Sequence, residues 1–244
     1  MQNDLTKIMF LDIETVPQKG SFEELSDEMA HLWKEKFAAL QKYLSEKHGE
    51  NITPEEAFCT NGGIYAEFGK IVCISVGFIY YKNNETFFRT KSFAGDDEVL
   101  ILQEFAQLIN ENWTTKEHTF CGHNIKEFDI PYICRRMIIN NITIPKLLNV
   151  GGKKPWEVSF FDTLELWKFG DKKSYTSLKL LDAVLGIAAP KDDIDGSQVA
   201  QVYYSEKNME RISTYCQKDV LATAQVFLRL NQLDTIKKTN VEYI

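Results

Sequence analysis

An apolar run over residues 7–13 is the first strong pattern along the chain. Its length and composition predict a buried central strand, and Pro17, which cannot donate to a sheet ladder, marks the end of that strand. Asp12 and Glu14 lie near the C-terminal end of the run. Because side chains alternate between the two faces of a strand, both carboxylates project from one face, about 7 Å apart along the chain.

The later segments alternate between strand patterns and helix patterns. Stretches rich in β-branched and aromatic residues predict strands, and apolar residues at every third or fourth position predict helices. The order predicts an α/β fold of the mixed-sheet kind, with antiparallel first strands, helices on both faces and a helical insertion after the first strand. The predicted elements are the insertion at 20–63, with helical spacing over 21–48, hairpin strands at 70–81 and 86–93, a helix from 96, a strand at 119–122, a helix at 128–139, a strand or turn at 160–164, and helices at 177–185 and 206–230.

The composition is that of a folded globular protein. The chain has 244 residues, 44% hydrophobic and 26% charged, which is enough for one large core and unlike disordered or fibrous proteins. We therefore expect a single domain over residues 1–244. The five cysteines are scattered without a CxxC pair, which indicates reduced thiols. No apolar run is long enough to span a membrane and the N-terminus has no signal-like pattern, so we expect a cytoplasmic protein without a membrane partner.

The net charge of −7 bears on nucleic-acid binding. Proteins that hold nucleic acid by its phosphates usually present a basic surface, so this charge argues against tight nonspecific binding. A local basic patch is still available, because seven lysines lie between residues 146 and 179, including the neighbours Lys153 and Lys154 and the neighbours Lys172 and Lys173. These two pairs are candidates for holding a strand, and a solvated loop is the alternative interpretation.

The pair Asp12 and Glu14 has two interpretations. Two like charges directed at one point repel, and oxygen ligands of this kind commonly bind a hard divalent cation such as Mg²⁺ or Mn²⁺. The alternative is a strand end whose carboxylates face solvent, since so short a motif recurs by chance. The choice between them depends on acidic residues further along the chain.

Two later segments supply such residues. Asp129 lies at the start of a predicted helix, where it could bind a cation or only stabilise the helix N-terminus. His123 and Asn124 occupy the loop before it, where they could reach a substrate or only satisfy backbone groups of the turn. Tyr215 and Asp219 are four residues apart in the last predicted helix, hence on one face and about 5–6 Å apart. An aspartate on the polar flank beside a core tyrosine is the alternative for this pair.

Together, the three segments resemble the three exonuclease motifs of the DEDD superfamily, whose members have a ribonuclease H-like fold. The chain is most similar to the 3′-5′ exonuclease domain of family B DNA polymerases and to the stand-alone predicted exonucleases related to that domain. Thr214, and not a histidine, precedes Asp219 by five residues, so the resemblance implies the tyrosine (DEDDy) type. The residues that carry the resemblance are Asp12, Glu14, Asn124, Asp129, Tyr215 and Asp219.

The resemblance implies a 3′-5′ exonuclease that uses two divalent metal ions, Mg²⁺ or Mn²⁺, to hydrolyse single-stranded or frayed DNA from its 3′ end. Tyr215 would be a catalytic residue that orients the attacking water, and Asp162 would support the site without binding a metal. The implied metal ligands, which are also catalytic residues, are Asp12, Glu14, Asp129 and Asp219. The implied substrate-binding residues are Asn124, His123 and Thr15.

Two alternative functions stay open. An exoribonuclease is one, because the same carboxylates serve both sugars and only contacts to the 2′-hydroxyl distinguish RNA from DNA. A nucleic-acid-binding module that has lost catalysis is the other, and the complete set of carboxylates argues against it. The segment 21–48 lies outside the resemblance, and the helical insertion is a candidate surface for a protein partner.

Overall fold

A mixed β-sheet forms the centre of the protein. The computed structural model describes residues 4–48, 52–171, 175–187 and 194–244. Within these ranges the sheet has six strands, β1 (Ile8–Pro17), β2 (Gly69–Lys82), β3 (Glu85–Ala94), β4 (Thr119–Gly122), β5 (Phe161–Asp162) and β6 (Val241–Tyr243). Their spatial order is β5-β4-β1-β2-β3-β6. β1, β2 and β3 are antiparallel neighbours, as predicted, whereas β4, β5 and β6 each join the sheet in parallel.

Helices flank this sheet. They are α1 (Asp27–His48), α2 (Pro54–Asn61), α3 (Glu98–Asn112), α4 (Asp129–Ile139), α5 (Thr163–Lys168), α6 (Leu178–Leu185), α7 (Val199–Gln201) and α8 (Met209–Leu230). The last helix begins at Met209 and not at residue 206, because Lys207 has a left-handed backbone with φ of 51°. Asn208 then caps α8 by accepting a hydrogen bond from the backbone amide of Arg211.

The two faces of β1 pack against different helices. Met9, Leu11 and Ile13 belong to a core cluster that includes residues of α3 and α4. Ile8 and Phe10 belong to a second cluster that includes residues of α8. This alternation is expected of a strand that is buried on both faces. It confirms the predicted α/β architecture, a ribonuclease H-like mixed sheet with helices on both faces.

The β2–β3 hairpin turns at Asn83 and Asn84. Both residues have a left-handed backbone, with φ values of 53° and 60°. A two-residue type I′ turn requires this conformation at both positions, and asparagine tolerates it better than most residues do. The turn therefore gives a local reason for the predicted hairpin, which the structure confirms.

A β-bulge interrupts the β1–β2 ladder beside the first pair of carboxylates. Glu14 pairs with Cys73 whereas Thr15 pairs with Ile71, which leaves Val72 as an extra residue on β2. Bulges bend and twist a strand locally and are common next to active sites. The carboxylates therefore lie where the sheet changes its twist.

The insertion between β1 and β2 is helical, as predicted, and has a small core of its own. Trp33 of α1 is fully buried and packs edge-on against Phe58 of α2, with 5.5 Å between ring centroids. Its indole N–H donates a hydrogen bond to the carbonyl of Pro54, at 2.7 Å. Thr53 and Glu56 form a capping box that fixes the start of α2. The aromatic residues at helical spacing in this segment therefore serve packing.

The sequence pattern misses several short elements, among them the three-residue helix α7. β6 has three residues, α5 has six, and a π-helical turn, Val202–Glu206, follows α7. Segments this short give no measurable periodicity. The start of α5 depends instead on Asp162, whose carboxylate accepts hydrogen bonds from the backbone amides of Leu164 and Glu165.

Candidate active site

Asp12 and Glu14 lie on the face of β1 that packs against α8. They continue the period-two series of Ile8 and Phe10, so they share that face, as the alternation of side chains predicts. Asp12 is half-buried and Glu14 is buried. The pattern of β1 therefore directs both carboxylates at the helix that carries Tyr215.

The first half of α8 supplies Tyr215 and Asp219. Four residues apart, they lie on one face, and the Tyr215 hydroxyl donates a hydrogen bond to the Asp219 carboxylate. Burial raises the pKa of Tyr215 above its ordinary value, and the negative charges of Asp219, Glu14 and Asp12 raise it further. The structure therefore places this pair of residues within electrostatic reach of the β1 carboxylates.

Asp129 is the first residue of α4, and its side chain is buried. Its carboxylate accepts hydrogen bonds from its own backbone amide and from that of Ile13 in β1. Burial, with a contribution from the charge of Asp162, raises the pKa of Asp129 to about 7 even though these hydrogen bonds lower it. The bond to Ile13 joins the start of α4 to β1 at the residue that follows Asp12.

Asp12 lies among the other carboxylates. Burial raises its pKa well above the ordinary value, and the charges of Asp219 and Asp129 raise it further. The thiol of Cys216 donates a hydrogen bond to its Oδ2, at 3.3 Å, which acts in the opposite direction. Burial and then the charges of Asp12 and Asp219 also raise the pKa of Glu14 well above its ordinary value. Four carboxylates from β1, α4 and α8 therefore converge on one region.

This set of ligand atoms fits a hard divalent cation. Carboxylates this close repel one another when ionised, and a bound cation would offset the repulsion. Oxygen ligands are those that Mg²⁺ and Mn²⁺ prefer. Ligand atoms of Asp12, Glu14 and Cys216 lie within 4.8 Å of one another. Sequence reasoning missed Cys216, although its position directly after Tyr215, on the apolar side of the last helix, could have pointed to it.

Asp162 organises the loop that holds Asn124. Its carboxylate accepts hydrogen bonds from the backbone amides of Asn124, at 2.9 Å, and Lys126, at 3.2 Å, as well as from the first turn of α5. Asn124 has a left-handed backbone with φ of 64°, which asparagine tolerates. These bonds confirm Asp162 as a structural support. The contact of Asn124 with a nucleotide stays a prediction.

The other two predicted substrate-binding residues have partners within the protein. The Nε2 atom of His123 lies 2.9 Å from the carbonyl oxygen of Thr176, and its Nδ1 atom lies 2.9 Å from the hydroxyl of Thr163. Thr15 lies on the opposite face of β1 from the carboxylates, and its hydroxyl forms a hydrogen bond with the phenol of Tyr132. Contacts of His123 and Thr15 with a substrate therefore stay predictions.

The lysine pairs predicted to hold a strand are only partly described. Lys153 and Lys154 are exposed, and the ammonium group of Lys154 lies 5.2 Å from the ring centroid of Trp156. Lys172 and Lys173 lie outside the described residues. A role of these lysines in strand binding stays a prediction.

A family model matches residues 64–242, which is more than half of the chain. It describes predicted 3′-5′ exonucleases related to the exonuclease domain of PolB. The chain belongs to this family. The matched region contains Asp129, Tyr215 and Asp219, whereas Asp12 and Glu14 precede it, so the assignment of these two to the site depends on the convergence described above.

Membership of this exonuclease family confirms the predicted resemblance and supports a hydrolase with a nucleic-acid substrate. No curated protein matches the chain. Among the helices in the described part of the chain, none is long and apolar enough to cross a membrane.

Proposed function

We propose that the protein is a metal-dependent 3′-5′ exonuclease of the tyrosine type, which removes nucleotides from the 3′ end of single-stranded or frayed DNA. The observation that carries this proposal is the convergence of Asp12 and Glu14 with Asp129 and Asp219. Family membership supports the reaction class. The relation of the family to the exonuclease domain of PolB is our reason for proposing DNA as the substrate in preference to RNA.

The carboxylates would hold two divalent cations, Mg²⁺ or Mn²⁺. When bound, such ions supply positive charge that makes a water more acidic and stabilises both the phosphate oxygens and the leaving 3′-oxygen. Asp12, Glu14 and Asp219 would hold one ion. Asp12 would also hold the second, with Asp129 in support.

Tyr215 would orient the attacking water through its hydroxyl. Its raised pKa keeps that hydroxyl protonated at neutral pH, so Tyr215 would act as a hydrogen-bonding group and not as a base. The hydrogen bond to Asp219 fixes the hydroxyl beside a metal-binding carboxylate. Asn124, in the loop after β4, would contact the terminal nucleotide.

The test is a nuclease assay on DNA and RNA oligonucleotides labelled at either the 5′ or the 3′ end. We expect stepwise shortening of 5′-labelled single-stranded DNA with Mg²⁺ or Mn²⁺ and none with EDTA. The Asp219→Ala variant should be inactive. The matched control is Asp234→Ala. Asp234 is exposed and lines a surface cavity together with Asp4 and Leu5, which precede β1.

Three results would change the proposal. Activity of Asp219→Ala above a few per cent of the wild type would contradict the metal site. Faster degradation of RNA would identify an exoribonuclease. Binding of DNA without hydrolysis under any metal would identify a binding module.

A further inference from the structure

Tyr175 is a large aromatic residue that the fold leaves in solvent. Its side chain is 64% exposed, just before the N-cap residue of α6. Single exposed aromatic residues are common on protein surfaces and need no explanation by themselves. The position of this one relative to the carboxylates therefore decides whether it has a role.

The position of Tyr175 follows from its contact with His123. The two rings are 6.0 Å apart and meet edge to face, at 71°. His123 follows β4 directly, and β4 is parallel to β1, with Cys121 opposite Phe10. His123 lies two residues after Cys121, and Asp12 lies two residues after Phe10. The Tyr175 ring therefore lies beside the point where the pairing of β1 with β4 ends, which is where the carboxylates converge.

The electrostatic environment of Tyr175 agrees with this position. Burial of its hydroxyl raises the pKa of Tyr175, and the charges of Asp129, Asp162 and Asp12 raise it further. Two of these three residues are proposed metal ligands. The exposed ring is therefore within electrostatic reach of two of the proposed metal ligands.

His123 holds the segment that carries Tyr175. A carbonyl oxygen only accepts hydrogen bonds, so Nε2 of His123 carries the proton donated to Thr176, and Nδ1 accepts from the hydroxyl of Thr163. Burial lowers the pKa of His123, which favours this neutral form. The ring cannot turn without breaking both bonds. Since Thr176 is the next residue after Tyr175, the imidazole joins the exposed ring to the end of β4.

We propose that Tyr175 stacks on a nucleobase at the 3′ end of the substrate and that His123 is the positioning residue that holds the Tyr175 segment in place. The inference rests on the exonuclease activity proposed above. Stacking on an aromatic side chain tolerates every base, because each base has a π-face. An exonuclease must bind a 3′ end that carries any of the four bases. A stacking contact contributes to this binding without sequence preference. His123 thus acts on the substrate through Tyr175.

The experiment measures binding of single-stranded DNA that carries 2-aminopurine at its 3′ end, in Ca²⁺, chosen to permit binding while slowing hydrolysis. Stacking on an aromatic ring quenches 2-aminopurine fluorescence. We expect Tyr175→Ala to weaken binding about 10-fold or more and to lose the quenching. Tyr175→Phe should retain both, because the ring remains. Tyr243→Ala is the matched control, since Tyr243 is 52% exposed on β6, at the other edge of the sheet.

The role of His123 is tested in the same assay. His123→Ala should lose the quenching, His123→Gln should restore part of it through an amide donor to Thr176, and the double variant with Tyr175→Ala should bind no more weakly than Tyr175→Ala alone. In steady-state assays, Tyr175→Ala and His123→Ala should both raise KM more than they lower kcat. Melting curves check that each variant is folded.

Several results would overturn this inference. Unchanged binding and quenching by folded Tyr175→Ala would exclude stacking. A loss in Tyr175→Phe equal to that in Tyr175→Ala would assign the effect to the hydroxyl and exclude stacking. Normal quenching by folded His123→Ala would exclude the positioning role. Failure of the exonuclease proposal is distinct, because the wild-type protein would then degrade neither DNA nor RNA.

Discussion

Asp12 is subject to opposing influences from its neighbours. The thiol of Cys216 donates to its carboxylate and favours the ionised form, whereas burial and the charges of Asp219 and Asp129 favour the neutral form. The second set prevails, because the pKa of Asp12 is raised. Without a bound cation, an ionised Asp12 therefore destabilises the folded state.

This balance predicts the behaviour of an Asp12→Ala variant. In EDTA at about pH 8, we expect its melting temperature to exceed that of the wild type by about 2–5 °C, because one repelling charge is removed. The Cys216 thiol keeps an acceptor, since it also lies 3.4 Å from the backbone carbonyl of residue 12. Nuclease activity should be lost. A melting temperature several degrees below that of the wild type, with Asp234→Ala unchanged, would show that Asp12 stabilises the fold.

The hydroxyl of Tyr215 gives a second prediction about a single side chain. The Tyr215→Phe variant keeps the aromatic ring on α8 and loses only the hydroxyl that donates a hydrogen bond to Asp219. We expect kcat to fall about 100-fold, less than the loss in Asp219→Ala, with little change in KM. Steady-state kinetics measure kcat and KM, and single-turnover kinetics measure the rate of the chemical step directly. A folded Tyr215→Phe enzyme as inactive as Asp219→Ala would give the hydroxyl a larger role than the orientation of water.

Among the secondary-structure elements, α5 depends most on one side chain. The Asp162 carboxylate accepts hydrogen bonds from two amides at the start of α5 and from two in the loop after β4. In Asp162→Ala we expect the free energy of unfolding to fall by about 3 kcal/mol, because a cap is lost and four amides, one of them buried and three half-buried, lose their acceptor. Denaturant unfolding measures this. The control is Asp195→Ala, an exposed aspartate that accepts from the backbone amide of Ser197 and should change stability by less than about 1 kcal/mol. Equal losses in the two variants would contradict the special position of Asp162.

Whether the sequence predicts the start of a helix depends on whether the contacts that fix this start are local in the chain. α3 and α6 begin at the side-chain caps Asp97 and Ser177, and such local signals are readable from the chain. Asp162 caps α5 as well, but half of its hydrogen bonds reach a loop that is distant in sequence. A pattern of neighbouring residues contains no information about such contacts.

Some features of the candidate site follow from the periodicity of the sequence, and others depend on tertiary packing. The shared face of Asp12 and Glu14 follows from strand periodicity, and that of Tyr215 and Asp219 follows from helix periodicity. The contact of Cys216 with Asp12 depends on how α8 packs against β1. The position of Tyr175 depends on parallel pairing of β1 and β4. These tertiary arrangements are set by the whole core, so periodicity does not predict them.

For the whole molecule, the burial of acidic residues at the candidate site couples stability to pH. Asp129 has a pKa of about 7 in the folded protein, against an ordinary value of 3.8. Between these values the folded state keeps a proton that the unfolded state has released. The contribution of Asp129 to the free energy of unfolding is therefore largest below about pH 4, and it falls as the pH rises towards 7. The pKa values of Asp12 and Glu14 are raised too, so they act in the same direction.

This coupling predicts a specific difference between the wild type and an Asp129→Asn variant, whose amide does not titrate. In EDTA, between about pH 5 and about pH 8, we expect the melting temperature of the wild type to fall by about 5 °C relative to that of the variant. Addition of Mn²⁺ at the higher pH should restore the wild type, because a cation bound only by the folded state stabilises it, and should restore the variant less. A difference between the two proteins that stays constant with pH would mean that Asp129 ionises near its ordinary pKa. Burial of its carboxylate would then not hold the proton in the folded state, and this coupling of stability to pH would be wrong.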